Sequence, residues 1–339
     1  MAPIKVGILG GTGYTAVELM KLLLRHPHVQ IEAVTSRDEK LPRVSESHPS
    51  LLGRIDRRME LLDGDRLIAR GVQCLFGCLP HGASITSLAP LLDRGVRIID
   101  LSADYRLRDP NTYARWYGES HGDLAHLAQA VYGLPEIYGD EIITAQLVAN
   151  PGCYPQTGIL GLAPLIEGNY IERTGIIIDS KSGVSGAGRT PKLTTHYPEC
   201  NENFAAYNVG AHRHTPEIEQ TLGDVAGEPV EVIFTPHLVP MDRGIFSAIY
   251  ATPRRAMTEH ELLDLYRTYY ADDPFIRVRE SLPATKDVSH TNYLDIALRV
   301  VKGKIIILVT LDNMIRGASG VAVQNFNRMY GFPEALALN

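Results

Sequence analysis

Apolar positions come in two textures along this chain. In the first half, short runs rich in Val and Ile at residues 4–9, 31–35, 72–76 and 96–101 are bounded by Gly or polar residues and predict β-strands. Between them, residues 16–25 (AVELMKLLLR) and 83–93 (ASITSLAPLLD) carry helical spacing, the second interrupted by Pro90. Strand and helix in alternation predict a parallel sheet with helices on its faces. After about residue 150 the strand patterns lengthen and gain β-branched residues, at 175–180, 230–239, 245–252, 293–301 and 305–311. Val301-Lys-Gly-Lys304 reads as the hairpin turn between the last two. This half predicts an α+β domain with an antiparallel sheet. Residues 318–329 are helical again, with apolar positions suited to packing back on the first domain. Residues 103–135 are polar and turn-rich, hold the only Trp, and receive no assignment. No internal repeat or low-complexity linker separates the parts.

Composition narrows the class. With 339 residues, and ~150 per domain as a prior, two domains are expected. Hydrophobic residues at 45% and charged residues at 21% match an ordinary globular chain and exclude disorder or a collagen-like repeat. Lys plus Arg number 33 against 39 Asp plus Glu, a net charge of −6 with no basic stripe, which argues against a nucleic-acid partner. The longest apolar runs, such as 305–309, fall far short of the ~20 residues that span a bilayer. The opening MAPIKVGILG runs straight into a strand pattern, so no signal or transit peptide is expected. Four cysteines (Cys74, Cys78, Cys153, Cys200) without an export signal predict reduced thiols in the cytosol.

Several stretches carry candidate chemistry. The first strand ends in Gly10-Gly-Thr-Gly13 and a helix follows; with Gly7 the spacing is G-x-x-G-x-x-G. A pyrophosphate meeting a helix N-terminus needs backbone without side chains, so this turn predicts a dinucleotide site, with a merely tight turn as the alternative. The second strand pattern ends in Ser36-Arg37 in place of the acidic residue that usually holds a free ribose 2′-hydroxyl. A hydroxyl and a guanidinium suit a 2′-phosphate, which favours NADP over NAD. In Asn150-Pro-Gly-Cys-Tyr-Pro155, Pro155 suits a first helical turn, so Cys153 is predicted at a helix N-terminus, where a thiolate is favoured. Cys74, Cys78 and Cys200 have no partner motif and read as ordinary thiols. In His212-Arg-His-Thr-Pro-Glu217, alternate residues of an extended segment would turn both imidazoles to one cavity, and His214 or Thr215 would cap the helix beginning at Pro216. No other residue at ligand spacing completes a metal site. Ser180–Arg189 (SKSGVSGAGR) and Pro236–Gly244 (PHLVPMDRG) have the composition of anion sites or of flexible loops, and Asn313–Gly320 (NMIRGASG) supplies a second glycine turn.

These pieces, in this order from Ile4 to Met329, resemble the N-acetyl-γ-glutamyl-phosphate reductases, in their longer type 1 form, within the aspartate-semialdehyde dehydrogenase-like superfamily. The resemblance rests on GILGGTGYTA, Cys78-Leu-Pro-His-Gly82, Asp100-Leu-Ser-Ala-Asp-Tyr-Arg106, Tyr132-Gly-Leu-Pro-Glu136, NPGCYP, HRHTPE, PHLVPMDRG and the Gly-Ala-Ser-Gly tail. One departure shows: the family continues its cysteine motif with Pro-Thr, whereas this chain has Pro155-Gln156-Thr157. The resemblance implies a Rossmann-like NADP-binding domain over residues 1–152 and a glyceraldehyde-3-phosphate dehydrogenase-like α+β domain over 153–317. The second would carry a mostly antiparallel sheet, substrate and oligomerisation surfaces, and helix 318–330 would return to the first domain. The implied reaction is NADPH-dependent reductive dephosphorylation of N-acetyl-L-glutamyl 5-phosphate to the 5-semialdehyde, in arginine biosynthesis, through a thioester on Cys153. One of His212 and His214 would handle protons and steady the oxyanion; the helix-cap argument leans to His214, and chain order leaves the choice open. Gly10, Gly11, Thr12, Gly13, Tyr14, Ser36, Arg37, Pro80 and Gly317 would hold NADP(H), while Ser182, Arg189, Arg213 and Glu217 would hold the substrate. A cytoplasmic homodimer or homotetramer without metal is implied, taking an acyl phosphate and releasing inorganic phosphate. A reductase of aspartyl or aminoadipyl phosphate is the near alternative, and a non-catalytic NADP-sensing regulator the remote one.

Overall fold

The computed structural model describes residues 2–339, which divide into two compact units. One holds the residues up to Pro151 together with Ala318–Asn339, and the other is Gly152–Gly317. In the first unit, strands β1 (Ile4–Leu9), β2 (Val29–Val34), β3 (Cys74–Gly77), β4 (Arg97–Asp100), β5 (Val131–Tyr132) and β6 (Leu147–Ala149) form one sheet. Its order is β2-β1-β3-β4-β6-β5 and every pairing is parallel. The predicted helix at 16–25 spans Tyr14–Leu23, starting earlier because Gly13 caps it directly from the glycine turn. Helix Ser84–Leu92 runs on through Pro90 into its last turn. Leu9, Ala33, Leu75, Leu88, Ile98 and Leu147 meet in the core of this unit.

Residues 103–135 are more ordered than their composition suggests. Asp109 caps helix Pro110–Tyr117 by accepting from the Asn111 and Thr112 N–H groups, and Gly118 ends it in the left-handed region. Asp-Pro at the start and Gly at the end are ordinary helix punctuation. Helix Gly320–Met329 packs in the same unit, where the Asn325 amide donates to the Gly133 carbonyl at 2.8 Å. Among the described residues, no helix is long and apolar enough to cross a membrane.

The second unit holds β7 (Ile176–Gly183), β8 (Ala205–Ala206), β9 (Val232–Val239), β10 (Ile245–Ala251), β11 (Ile276–Arg279), β12 (Leu294–Val301) and β13 (Lys304–Leu311). They form a seven-stranded sheet in the order β11-β12-β13-β10-β7-β9-β8. The expectation of a mostly antiparallel sheet is corrected: the sheet is mixed, with β7–β9 and β11–β12 parallel. Both parallel pairs are joined by crossovers that contain a helix, Thr215–Ala226 for the first and Thr285–Val288 for the second. Apolar runs report a strand but not its direction, so the pattern could not distinguish the two arrangements. The 301–304 hairpin is as predicted, with Val301 paired to Lys304 and positive φ at Lys302 (47°) and Gly303 (75°). Against this sheet lies helix Cys153–Glu167, buried at every position except its two ends.

Candidate active site

In the first unit the glycine turn is shaped by its neighbours. Gly10 has φ +79°, and a Cβ there would lie 2.4 Å from the Cys78 carbonyl oxygen. A Cβ on Gly11 would lie 2.3 Å from Val34 Cγ1. The buried His48 Nε2 lies 2.7 Å from the Gly11 carbonyl oxygen and steadies the turn. At Gly13 a Cβ would meet nothing closer than 3.8 Å, so this side is open, with Thr12 half-buried and Tyr14 41% exposed beside it. Two glycines are thus required by packing, and the third leaves backbone bare at the start of the Tyr14–Leu23 helix, a geometry that fits a pyrophosphate.

Ser36, buried two residues beyond the end of β2, accepts the Asp38 N–H at 3.0 Å, and Arg37 next to it is exposed. Pro80 is exposed in the 78–83 loop, whose first residue donates its N–H to the Leu9 carbonyl at 2.9 Å. That loop is anchored by Asp104, a wholly buried carboxylate that accepts from the Gly82 N–H (2.9 Å) and the Ser84 N–H (3.0 Å). His81 Nδ1 stands 2.5 Å from it. Burial alone would raise the Asp104 pKa, but His81 and the backbone donors outweigh it and hold it below the usual carboxylate value. Nearby Asp100 goes the other way, pushed up to about 6 by burial and by the charge of Asp104.

In the second unit Cys153 is the first residue of its 15-residue helix, after Gly152 at the cap, and is half-buried. The Gly152 N–H donates at 2.6 Å to Glu217, which is 1% exposed in the first turn of helix Thr215–Ala226. One carboxylate therefore ties the two helix starts together. Residues 211–214 form a turn, which corrects the extended segment expected, yet the two imidazoles still converge, with ring centroids 4.8 Å apart. His214 occupies the cap position of its helix but makes no side-chain cap, because its backbone is already helical (φ −80°, ψ −14°). Its N–H instead donates to His212 Nδ1 at 3.1 Å. That bond assigns the neutral His212 proton to Nε2. Burial, aided by the Arg213 charge, pushes the His212 pKa down to about 4, so the ring is neutral near pH 7.

Tyr154 completes this cluster. Its ring packs 5.7 Å from His212 and 5.9 Å from His214, and its hydroxyl donates to the His237 carbonyl at 3.1 Å. The Tyr207 hydroxyl donates to it in turn at 3.2 Å, and burial raises the Tyr207 pKa to about 12, with the charge of Cys153 adding to the rise. Ser182 is buried with its hydroxyl donating to the Gly183 carbonyl at 3.1 Å, while Arg189 and Arg213 are exposed. The 183–185 and 241–244 segments are laced by backbone bonds, so the two glycine-bearing stretches form one floor and not separate loops. Gln156, which follows Pro155 in the first turn of the Cys153 helix, is wholly buried and accepts from Arg316 Nε at 3.0 Å. None of the four cysteines is in a disulfide, and burial lifts the Cys74 and Cys78 thiols to about 12, which keeps them unreactive. Among the described residues, no group of three or more His, Cys, Asp or Glu could hold a metal ion.

Comparison with known proteins adds a family to this geometry. Residues 5–145 match the semialdehyde dehydrogenase NAD binding domain, and residues 153–313 match the semialdehyde dehydrogenase dimerisation domain. An N-acetyl-gamma-glutamyl-phosphate reductase from Rhodopirellula baltica is 48% identical over 340 residues, covering 99% of this chain and 98% of that one. Its counterpart from Desulforudis audaxviator is 49% identical over 339 residues at the same coverage. The chain belongs to the N-acetyl-gamma-glutamyl-phosphate reductase family. Among solved structures, aspartate semialdehyde dehydrogenase II of Vibrio cholerae shares the fold, with a TM-score of 0.73 over 98% of this chain and 99% of that one at 18% identity. The Candida albicans aspartate semialdehyde dehydrogenase, solved with NADP, has a TM-score of 0.66 at 13% identity, covering 97% and 99%.

Sequence reasoning about this reductase passed over Tyr154, Tyr207, Phe234 and His48. Tyr154 stood inside the cysteine hexapeptide and was there to be read. Tyr207, Phe234 and His48 stand in stretches with no motif, and only tertiary contact brings them to the His pair and the glycine turn.

Proposed function

We propose that the chain reduces N-acetyl-L-glutamyl 5-phosphate to N-acetyl-L-glutamate 5-semialdehyde with NADPH, releasing inorganic phosphate, as a step of arginine biosynthesis. The observation that carries this reading is Cys153 heading a buried helix in the unit that also gathers two imidazoles around Tyr154. In the first unit, the bare backbone of Gly10–Gly13 would receive the pyrophosphate, with Thr12, Tyr14 and Pro80 bordering it, and Ser36 and Arg37 would take the 2′-phosphate. When bound, NADPH supplies the hydride that reduces the acyl carbon.

The Cys153 sulfur, favoured as thiolate by the dipole of the helix that it heads, attacks the acyl carbon. A C–S bond forms, the bond from carbon to the phosphate oxygen breaks, and phosphate leaves from a thioester. His212 takes the role of donor: neutral, with Nδ1 engaged, it presents Nε2–H to the oxyanion and exchanges protons at that atom. His214 sets the ring of His212 through its backbone N–H. Glu217 positions the nucleophile's helix through the Gly152 N–H. Ser182, Arg189 and Arg213 hold the phosphate and carboxylate groups.

The reductase works as a homodimer or homotetramer. Ile233, Ile177, Tyr250 and Ile306 follow one another in register across β9, β7, β10 and β13, the first three exposed. An apolar row across an open sheet face is suited to a second copy, and the family of this segment is described as a dimerisation domain. Four cysteines outside any disulfide accord with a cytoplasmic setting.

The test is the reverse assay. With NADP and phosphate, N-acetylglutamate 5-semialdehyde should be oxidised far faster than aspartate semialdehyde, and Cys153→Ser should abolish turnover while NADPH still binds. Faster oxidation of aspartate semialdehyde would move the chain to the related reductases, and an active Cys153→Ser variant would remove the thioester route.

A further inference from the structure

Gly317 stands in the second unit against the residue that carries the thiol. A Cβ built on it would lie 2.8 Å from Cys153 Cβ, 3.3 Å from the Asp312 carbonyl oxygen and 3.4 Å from Cys153 Cα. Carbon atoms do not pack at 2.8 Å, so a methyl group here would force a displacement of several tenths of an ångström. The Gly317 N–H donates to the Asp312 carbonyl at 2.8 Å. The Asp312 side chain is wholly buried, and its Oδ1 accepts the Met314 and Ile315 N–H groups at 2.8 and 2.9 Å. Its Oδ2 accepts the His290 N–H at 2.7 Å, and Arg243 Nη1 stands 3.5 Å from Oδ1. One carboxylate thus closes the turn that delivers Gly317. On the other side, the neighbouring Arg316 is wholly buried and its Nε donates to Gln156 Oε1, one turn along the Cys153 helix. The 312–317 turn is closed by the buried Asp312, and the Cys153 helix is held at its start by Glu217 on the Gly152 N–H, so both sides are fixed and the bare α-carbon of Gly317 sets the distance between them.

We infer that Gly317 is a positioning residue for the nucleophile: the absence of a side chain there, enforced by the Asp312-closed turn, sets where the Cys153 thiol stands. This assigns Gly317 a steric role at the thiol, beyond the cofactor contact that its glycine-rich motif suggests. It also explains the buried Gln156, which ties the same turn to the nucleophile's helix. The inference rests on Cys153 being the nucleophile.

The experiment is Gly317→Ala in the full-length protein, read three ways. The expected result is a kcat in the reverse assay lowered about ten- to hundredfold, the scale of a misplaced reacting group. Alkylation of Cys153 by iodoacetamide, measured in the absence of NADPH, should slow severalfold and shift in its pH profile, effects that a cofactor contact cannot produce. Unchanged kcat and alkylation, or a loss confined to NADPH affinity, overturns the inference. Should Gly317→Ala fail to fold, Asp312→Asn opens the same turn without adding a methyl group and should give a smaller change of kcat and alkylation in the same direction; no change in either overturns it. Wild-type protein alkylated at Cys153 separates the two levels: if it remains active, the nucleophile assignment itself falls, whatever the Gly317 variants show.

Discussion

The chemistry proposed for Cys153 and His212 has a different cause at each residue. The thiol is served by a helix start, a local feature written in Gly152-Cys-Tyr-Pro155. The imidazole is kept neutral by burial among Tyr154, Tyr207 and Phe234, which come from three distant stretches. With its pKa pushed down to about 4, His212 stays neutral from pH 5 to 8 and should impose no loss of kcat over that range. The same shift has a stability sign. The unfolded ring takes up a proton below about pH 6.5 while the folded ring does not, so stability is full above that value and falls as pH drops toward 4. His212→Asn should remove this part of the acid-side loss, and thermal denaturation across pH 4–7 measures it; an unchanged slope would show that the ring is not buried neutral. Arg37 is exposed beside the buried Ser36. A charged hydrogen bond of about 1.5–3 kcal/mol to a phosphate converts to a roughly ten- to hundredfold weaker NADPH affinity in Arg37→Ala, with NADH unaffected. Equal loss for both cofactors, by fluorescence titration, would show that Arg37 does not read the 2′-phosphate.

Among the elements, the 78–83 loop shows how a buried charge organises a surface segment. Asp104 collects the Gly82 and Ser84 N–H groups and faces His81, so it starts helix Ser84–Leu92 and sets the loop that lies against Gly10. In Asp104→Asn one amide face turns donor toward these donors. The expected cost is about 1–3 kcal/mol in stability, with NADPH affinity weakened several-fold and the affinity for the acyl substrate unchanged. A calorimetric titration that found both affinities intact would show the loop to be independent of the site. Element boundaries were legible where punctuation was strong: the glycine turn, the Lys302-Gly303 hairpin, Pro155 in the first turn of its helix. They were missed over 103–135, although Asp109-Pro110 and Gly118 mark a helix there, because its polar and aromatic residues mask the apolar period.

Across the whole molecule, the surface proposed to meet a second copy is the open face of the seven-stranded sheet. A charge in the middle of an apolar interface row is left buried without a partner. Tyr250→Glu should therefore shift the protein to monomer in size-exclusion chromatography with light scattering, and persistence of the oligomer would place the interface elsewhere. The mixed direction of that sheet is also a property of the whole. Val and Ile runs identify strands through side-chain shape, but strand direction follows from the route of the connections, here two helix-bearing crossovers.

By itself the sequence determined the alternating first half, the glycine turn, the cysteine at a helix start and the two adjacent histidines. Each depends on residues within a few positions of one another, and local sterics and hydrogen bonding suffice to read them. Tertiary structure alone decided that His212 is the ring whose Nδ1 is engaged, that Glu217 holds the Gly152 N–H, that Gln156 is an interior residue bound to Arg316, and that Gly317 abuts Cys153. These contacts join residues distant along the chain. They exist because burial forces each polar group to find a partner and each gap to be filled, and no local pattern carries that information.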